Sequence, residues 1–260
     1  MTLKKDHTAD AFNPLAAGCN QVILLAAGKG TRMKGAVDDK ILIPLEGKSS
    51  FRRSYEAFAD TGLFSGAVIV YRDEQQRRVL EENLTDLEKP IPELRWIQGG
   101  NRRQDSVFHG LTSAGLETDY VFIHDCARPL VASSDILALC ERVITDKAAS
   151  LARPVVDTIK RIDRRRTNYR NCTLRPIDRR GCWAMETPQA FEYKLIFDAY
   201  QRARQGTQLH TDDTSVASAA GAKISLVESS FPNPKITRPG DLAMISFLIR
   251  NPNLPGQDTK

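Results

Sequence analysis

A hydrophobic segment of the sequence ends directly in a loop rich in glycine and positive charge. The stretch VILLAAGKGTRM, residues 22–33, passes from apolar residues into Gly28, Gly30 and Arg32, and Lys40 follows soon after. Glycines let backbone N–H groups approach a ligand closely, and such amides together with nearby cations attract phosphate oxygens. Two cations beside a polyphosphate suit a reaction whose transition state gathers negative charge at phosphorus.

Two common phosphate-binding motifs do not match this loop. A dinucleotide fingerprint needs G-x-G-x-x-G, and Met33 stands where its third glycine should be. A Walker A loop needs a G-K-[ST] sequence after its first glycine and four further residues, and this stretch has none. The remaining interpretation is a turn that binds a nucleoside triphosphate. For this stretch alone, a tight turn with a solvated Arg32 is the alternative.

A second loop carries groups that can read the edge of a base. The stretch QGGNRRQDSV, residues 98–107, follows a predicted strand and places Gly100 before Arg103 and Ser106. The glycine allows close backbone approach, and the start of a helix with Ser106 adds hydrogen-bonding groups. A helix N-cap at Asp105 or Ser106 is the structural alternative.

A third loop follows the apolar strand in FIHDCARPL, residues 122–130. Asp125 can bind polyol hydroxyls or a metal-bound water there, and Arg128 can fix Asp125 or a phosphate. A structural Asp–Arg pair is the alternative. His124 closes the strand with no Ser or Cys nucleophile in a recognisable motif beside it, so we expect a core histidine rather than an acid–base catalyst.

These loops separate strand-like segments from helix-like ones. Apolar runs predict strands at 22–26, 67–71, 94–97, 120–124, 151–156 and 224–226. Helix-period apolar residues predict helices at 51–59, 74–84, 106–114, 135–145 and 194–205. The alternation predicts a three-layer α/β fold with a mostly parallel, Rossmann-like sheet, which binds ligands at the carboxyl ends of its strands.

The segment 155–180 breaks this alternation. Its predicted strands, 155–163 and 172–178, alternate with Arg, Lys and Asp and offer little apolar surface to a core. Because a lone hairpin of this kind is marginal, we expect a β-arm that projects and packs on a second copy of the chain as a homodimer. A solvated surface hairpin is the alternative. The arm belongs to one domain over 20–250, between a mobile N-terminal tail at 1–19 and a C-terminal tail at 251–260.

The composition limits the class of protein. A chain of 260 residues with 41% hydrophobic and 27% charged residues suits one globular domain. No apolar run approaches the roughly 18 residues of a membrane span, and the N-terminus lacks the apolar segment of a signal peptide. The odd count of five cysteines, without a CxxC pair, favours reduced thiols and a cytoplasmic location. The net charge of +5 suits an anionic ligand.

Nine motif elements occur in order between residues 21 and 248. They are LAAGKGTRM, Lys40, GG-x-x-R-x-x-SV, HD-x-ARP, V-x-DT-x-K, DR-x-G-x-W, TPQAF, TDD-x-S and N-x-K-I-T. Together they resemble the 2-C-methyl-D-erythritol 4-phosphate cytidylyltransferase family, which acts in non-mevalonate isoprenoid biosynthesis. The resemblance implies a nucleotidyltransferase fold and a CTP-dependent activity.

The resemblance also implies which residues bind the nucleotide. The family's glycine-rich loop, which holds the CTP phosphates, corresponds to Ala26, Ala27, Gly28, Gly30 and Thr31. Arg32 and Lys40 fall on the residues that stabilise the pentacovalent transition state. Gly100, Arg103 and Ser106 occupy the cytosine-side loop.

The acceptor site that the resemblance implies uses both subunits of a dimer. The positions that bind methylerythritol phosphate fall on Asp125, Arg128, Thr158, Arg179, Thr187 and Lys235. The counterpart of Arg179 reaches across the dimer and, with that of Lys235, orients the attacking phosphate. The implied reaction is in-line attack on the α-phosphorus of CTP with release of pyrophosphate, and Mg²⁺ is held mainly by the CTP phosphates.

Other functions are compatible with parts of the sequence. Ribitol-5-phosphate cytidylyltransferases share the fold and chemistry but typically read L-A-G-G and HD-x-V-R-P, where this chain has LAAG and HDCARP. A catalytically silent nucleotide-binding scaffold is disfavoured because all four predicted catalytic cations are present. The arginine-rich arm suggests an RNA-binding module, but it lacks interleaved aromatic residues beyond Tyr169. We therefore expect neither nucleic acid nor a membrane as a partner.

Overall fold

The computed structural model describes residues 19–28, 30, 39–162, 169–207 and 209–253. Thr31 and Arg32, and nearly all of the two predicted tails, lie outside the described residues. Within the described part, none of the helices is long and apolar enough to cross a membrane.

The described chain contains eleven strands and seven helices. The strands are β1 (Asn20–Leu25), β2 (Pro44–Leu45), β3 (Lys48–Ser49), β4 (Gly66–Tyr71), β5 (Glu93–Gln98), β6 (Tyr120–Asp125), β7 (Ala148–Pro154), β8 (Lys160–Arg161), β9 (Arg175–Pro176), β10 (Trp183–Glu192) and β11 (Ser225–Glu228). The helices are α1 (Ser50–Ala59), α2 (Glu74–Glu82), α3 (Arg103–Ala114), α4 (Ser133–Asp146), α5 (Tyr193–Gln205), α6 (Asp213–Ala219) and α7 (Pro239–Arg250). A 3₁₀ turn spans Arg179–Gly181.

Seven of the strands form one sheet in the order β11-β7-β10-β6-β1-β4-β5. All neighbouring pairs are parallel except those of β10, which runs antiparallel to both β6 and β7. The mostly parallel α/β prediction is therefore confirmed. The six predicted strands are all present, whereas β10 was missed. Its polar residues and Pro188 do not read as a strand, and the register shift between Met185 and Gln189 accommodates them.

The central strands are buried on both faces because helices cover the sheet from both sides. Val22 and Leu24 of β1 pack into the core that contains α1, α2, α4 and α7. Ile23, between them, packs into the opposite core with α3, α5 and α6. This alternation follows from the two-residue period of a strand, and it produces the predicted three layers.

The arm is less regular than predicted. The strands expected at 155–163 and 172–178 are wrong in length, because within the described residues of the arm only β8 and β9 pair, over two residues each. Their residues are exposed and mostly charged, so little burial stabilises a longer ladder. Residues 163–168 lie outside the described part of the chain.

Candidate active site

A cleft of about 410 Å³ opens at the carboxyl ends of the parallel strands. It is lined by residues from the loops after β1, β5 and β6 and from the segment before α7. Ten of the predicted site residues line it, namely Ala26, Ala27, Gly28, Gly30, Lys40, Gly100, Arg103, Ser106, Asp125 and Lys235. Sequence positions that are more than two hundred residues apart thus meet in one place.

The turn after β1 presents its backbone to the cleft. The Ala26 N–H donates to Val70 O at 2.9 Å, and Gln76 Nε2 donates to Ala26 O at 3.1 Å, so both backbone polar groups of Ala26 are fixed. Gly30 has φ of 58°, a left-handed conformation that glycine adopts without a steric penalty. A Cβ added at Gly28 would meet nothing within 4 Å, which leaves this part of the turn open to a ligand.

The loop after β5 is folded tightly onto the start of α3. The Gly100 N–H donates to Ser106 Oγ at 3.1 Å. A Cβ at Gly100 would lie 2.4 Å from the Asp105 Cβ, so only glycine allows this approach. Arg102 is the N-cap of α3, which makes the alternative caps at Asp105 and Ser106 wrong. Ser106 therefore shapes the loop instead of capping the helix.

Among the described residues that line the cleft, Asp125 is the only acidic one. Its Oδ2 accepts from Lys235 Nζ, and its Oδ1 lies 3.2 Å from Arg103 Nε. Burial raises the pKa of the Asp125 carboxyl, but the positive charges of Arg103 and Lys235 outweigh burial and hold the pKa well below its usual range. Asp125 is thus an ionised carboxylate held between two cations.

The Arg103 side chain, which was predicted to lie in the cytosine-side loop, is hydrogen-bonded to other side chains of the protein. Its two terminal nitrogens donate to both carboxylate oxygens of Asp213, at 2.8 and 2.7 Å. The hydroxyl of Tyr200 donates to the same carboxylate at 2.5 Å. Neither Tyr200 nor Asp213 was a predicted site residue. The TDD-x-S motif was the signal that could have found Asp213.

Lys40 connects the cleft to the segment before α7. It is 9% exposed, and its Nζ donates to Ile236 O at 2.6 Å. The Ile236 N–H in turn donates to Ala127 O at 2.8 Å. Lys40 and Ala127 thereby fix the backbone beside Lys235, so two of the predicted catalytic cations share one short segment.

His124 lies behind the cleft as a satisfied core residue, as expected. Its Nε2 donates to Arg128 O, and Thr187 Oγ1 donates to its Nδ1, at 3.1 and 3.2 Å. Burial lowers the pKa of His124 to about 4. Thr187 Oγ1 also accepts the Asp125 N–H at 3.1 Å, so this neutral histidine supports the Asp125 backbone.

A second cavity of about 330 Å³ shares Arg103, Asp125 and Lys235 with the cleft. Arg128 and Thr187, both predicted acceptor-site residues, line this cavity as well. The Arg128 guanidinium does not hydrogen-bond the Asp125 carboxylate; it donates to the carbonyls of Asn233 and Met185, at 2.8 and 3.3 Å, while the Arg128 backbone N–H donates to Asp125 O at 2.9 Å. The alternative of a structural pair between the Asp125 and Arg128 side chains is therefore wrong, and the Arg128 side chain instead connects two backbone segments.

Glu186 also lines this second cavity and was not predicted. Its carboxylate is 1% exposed; Oε2 accepts from Ser229 Oγ at 2.8 Å, and Oε1 lies 2.5 Å from Arg153 Nε. That ion pair lacks hydrogen-bond geometry, so Oε1 has no hydrogen-bond partner within the described chain. Glu186 supplies a fixed negative charge near Arg128.

Thr158 and Arg179 lie on the arm and are among the described residues that do not line either cavity. Thr158 is exposed at the base of the arm. Arg179 begins the exposed 3₁₀ turn, and its Nη1 donates to Val156 O. A single chain thus does not bring these two predicted residues into the cleft.

The arm also exposes apolar side chains. Val156 and Tyr169 are 77% and 74% exposed, and Leu174 is 56% exposed. Several exposed apolar residues on one segment of the chain are compatible with an interaction surface.

The side chains of the cleft suit a metal ion that is coordinated mainly by a bound substrate, not by a set of protein side chains. Among the described residues, no three His, Cys, Asp or Glu side chains lie close enough to hold a metal ion together. Both oxygens of Asp125 already accept from cations.

Comparison with known proteins identifies sequence relatives along most of the chain. The family model IspD, described as 2-C-methyl-D-erythritol 4-phosphate cytidylyltransferase, matches residues 20–251. The enzyme of that name from Caldanaerobacter subterraneus is 34% identical over 232 residues, covering 88% of this chain and 97% of the relative. The one from Halalkalibacterium halodurans is 35% identical over 228 residues, covering 88% and 96%.

Solved structures with the same architecture are also similar. A 4-diphosphocytidyl-2C-methyl-D-erythritol synthase from Anaerococcus prevotii superposes with a TM-score of 0.76 at 22% identity, covering 90% of this chain and 99% of its own. A 2-C-methyl-D-erythritol 4-phosphate cytidylyltransferase from Thermus thermophilus gives 0.69 at 24% identity, covering 88% and 98%. These two structures show a common fold.

Proposed function

The chain belongs to the 2-C-methyl-D-erythritol 4-phosphate cytidylyltransferase family, as its motifs predicted, and we propose that it transfers CMP from CTP to 2-C-methyl-D-erythritol 4-phosphate. The products are 4-diphosphocytidyl-2-C-methyl-D-erythritol and pyrophosphate. The chain is thus a nucleotidyltransferase that supplies isoprenoid precursor biosynthesis.

One observation carries this proposal: the Asp125–Lys235 ion pair lies where the two cavities meet. The 410 Å³ cleft contains the glycine-rich turn and suits a nucleotide. The 330 Å³ cavity contains polar groups of the kind that bind hydroxyls and phosphate. A transfer between two substrates requires such adjoining sites, with positive charge at the junction.

On the nucleotide side, the residues act by position and charge. The open turn offers the backbone N–H groups of Ala27 and Gly28 to the triphosphate, and the Ala26 N–H, which donates to Val70 O, holds the turn in place. Lys40 lies beside this turn, and Arg32 follows it in the sequence; both would offset the charge that develops at the α-phosphorus. The Gly100 loop and Ser106 would contact the base, since a serine hydroxyl can still donate while accepting one hydrogen bond.

On the acceptor side, Asp125 would accept hydrogen bonds from polyol hydroxyls, and Lys235 would orient the attacking phosphate. In this proposal Thr158 and Arg179 of the partner subunit complete the site. Two features support a homodimer through the arm: the arm has exposed apolar residues, and its predicted site residues line neither cavity within one chain.

Mg²⁺ enters this proposal with CTP. It would be held mainly by phosphate oxygens, because Asp125 is already engaged by Arg103 and Lys235. When bound, the ion neutralises phosphate charge and helps pyrophosphate to leave. The residues of the chain then have to bind, align and exclude water.

The chemistry needs no general base from the protein, because a phosphate monoester dianion is itself the nucleophile. The histidine nearest Asp125 agrees with this: both ring nitrogens of His124 are hydrogen-bonded, and it lies behind the cleft wall. We propose that the enzyme acts in the cytoplasm, where its buried Cys126 and Cys140 thiols stay reduced.

A substrate matrix tests the proposal. Purified protein is incubated with Mg²⁺, one of CTP, UTP and ATP, and either methylerythritol phosphate or ribitol 5-phosphate, and pyrophosphate release is measured. We expect CTP with methylerythritol phosphate to exceed every other pair. Equal turnover of ribitol 5-phosphate, or no turnover with any pair, would refute the assignment.

A further inference from the structure

Asp213 is a buried carboxylate that neither cavity exposes. It is the first residue of α6, 0% exposed, and it meets Arg103 through two parallel hydrogen bonds of 2.8 and 2.7 Å. Tyr200 adds a third hydrogen bond at 2.5 Å. Bidentate arginine–carboxylate pairs fix the plane of the guanidinium as well as its position. Asp213 thus determines the orientation of Arg103.

Arg103 forms part of the wall between the two cavities, since it lines both. Its terminal nitrogens are occupied by Asp213, so its Nε remains to face Asp125 Oδ1 at 3.2 Å. That single contact leaves the other oxygen, Oδ2, to Lys235. The charges alternate along this row, from Asp213 to Arg103, Asp125 and Lys235.

We infer that Asp213, supported by Tyr200, is a positioning residue for nucleotidyl transfer, acting through Arg103 on the Asp125–Lys235 pair. This inference rests on the proposed function and extends it to a residue that touches neither substrate. Asp213 keeps the guanidinium fork away from Asp125 and away from the triphosphate. Lys235 then stays at the junction of the cavities.

Loss of the Asp213 charge redirects the guanidinium. The two terminal nitrogens of Arg103 would then bind another anion, because buried donors without partners are costly. One candidate anion is Asp125, and a bidentate Arg103–Asp125 pair would displace Lys235. The second candidate is the triphosphate, which Arg103 would then bind in the ground state. Both rearrangements lower kcat, and neither weakens CTP binding.

The test compares Asp213→Asn with Asp213→Glu and Tyr200→Phe. We expect Asp213→Asn to lower kcat by about 100-fold, the scale of a misplaced reacting group. The KM for CTP stays equal to the wild-type value or falls. Asp213→Glu keeps the charge and recovers part of the rate. Tyr200→Phe keeps the Arg103 pair and loses the least.

Asp135→Asn is the matched control. Asp135 is also a buried carboxylate in the first turn of a helix, where it accepts the Ser230 N–H at 3.1 Å, but it lines neither cavity among the described residues. We expect this variant to lower the thermal midpoint and to keep the wild-type kcat. A purely structural role for Asp213 would give the same result in both variants.

Three outcomes overturn the inference. One is a kcat within about twofold of wild type for Asp213→Asn. Another is a rise in the KM for CTP that accounts for the whole loss in kcat/KM, because the variant would then have lost binding energy that the ground state and the transition state share equally. If Asp213→Asn does not fold, the test uses Asp213→Glu, whose longer side chain shifts Arg103. A wild-type kcat for Asp213→Glu then overturns the inference. Failure of the proposed function differs from all of these, because the wild-type chain itself would then be inactive.

Discussion

Lys235 and Asp125 form an ion pair between residues that are 110 positions apart in the sequence. The carboxylate ends β6, and the ammonium group belongs to the segment that Lys40 and Ala127 hold through Ile236. The pair is three-tenths exposed on the lysine side, so solvent or a ligand can reach it. A cation that is held yet accessible at the junction of two cavities is suited to guide a phosphate.

Replacing Lys235 tests whether this cation is catalytic. We expect Lys235→Ala to lower kcat by at least about 100-fold, because a positioned charge next to a phosphoryl transition state contributes on that scale. Lys235→Arg keeps the charge but not the geometry and should recover a small part of the rate. Circular dichroism and thermal unfolding of the variants check the fold. Unchanged activity in Lys235→Ala would show that the role given to Lys235 is wrong.

Replacing Lys40 separates its charge from its hydrogen bond. Lys40→Ala loses both, whereas Lys40→Gln can still donate to the Ile236 carbonyl. If the charge acts on the triphosphate, both variants lose kcat to a similar extent, by about 10- to 100-fold. Steady-state kinetics with saturating CTP measures this. Wild-type rates in Lys40→Gln would reduce Lys40 to an anchor for the neighbouring backbone.

His124 gives the chain a defined dependence of stability on pH. Burial lowers its pKa to about 4, whereas an unfolded histidine titrates near 6.5. As pH falls, the unfolded chain therefore binds a proton first, and the stabilisation is complete above about pH 6.5 and is lost on the way to pH 4. The loss amounts to about 3 kcal/mol.

Urea unfolding of wild type and His124→Gln between pH 7 and 4 measures this term as the difference between the two curves. The curves should converge as pH falls. NMR titration of the wild-type His124 ring provides an independent check that needs no variant. A titration near pH 6.5 in the folded protein would contradict the account. The Asp125 carboxyl, whose pKa is also lowered, adds stability that is fully present above about pH 4 and is lost only below it, so its pH window is separate from that of His124.

Complementation tests the proposed exchange of Arg179 between subunits. Arg179→Ala and Lys235→Ala are each expected to be inactive alone. If Arg179 acts across the dimer, a mixed dimer contains one site with both residues intact. Random reassociation makes half of the dimers mixed, so about a quarter of the wild-type activity should return.

Two results would contradict this arrangement. One is a mixture that stays as inactive as its components although mass measurement shows mixed dimers. The other is a wild-type chain that is monomeric at micromolar concentration. Leu174→Asp, which places a charge on the exposed apolar side of the arm, is expected to shift the mass towards a monomer and to lower activity together with it.

The predictable parts of the fold are those in which local pattern and burial agree. β4, GAVIVY, is apolar throughout because both of its faces are covered, and its prediction is correct to within one residue. β10 is the opposite case. Its sequence is polar and contains a proline, and a bulge allows it to pair with β6 and β7. Such a strand forms because it pairs with β6 and β7, and its own sequence has no periodicity from which the strand could be predicted.

The site divides in the same way. Gly28, Lys40, Asp125 and Lys235 could be named from their motifs, and the structure brings them into one cleft. Asp213 could not be assigned a role, because its partner Arg103 is 110 positions away and the pairing depends on the tertiary structure that brings the first residue of α6 to the first residue of α3. Sequence patterns identify residues that face a ligand more readily than residues that act through another side chain.

The most direct test of the central claim is the identity of the product. Wild-type protein, CTP, Mg²⁺ and methylerythritol phosphate are followed by ³¹P NMR. We expect two coupled phosphorus signals of a new diphosphate diester, with pyrophosphate in equal amount, and neither in the Lys235→Ala reaction. Formation of CMP with unchanged methylerythritol phosphate, or no new diphosphate at all, would contradict the assignment of this chain as a cytidylyltransferase.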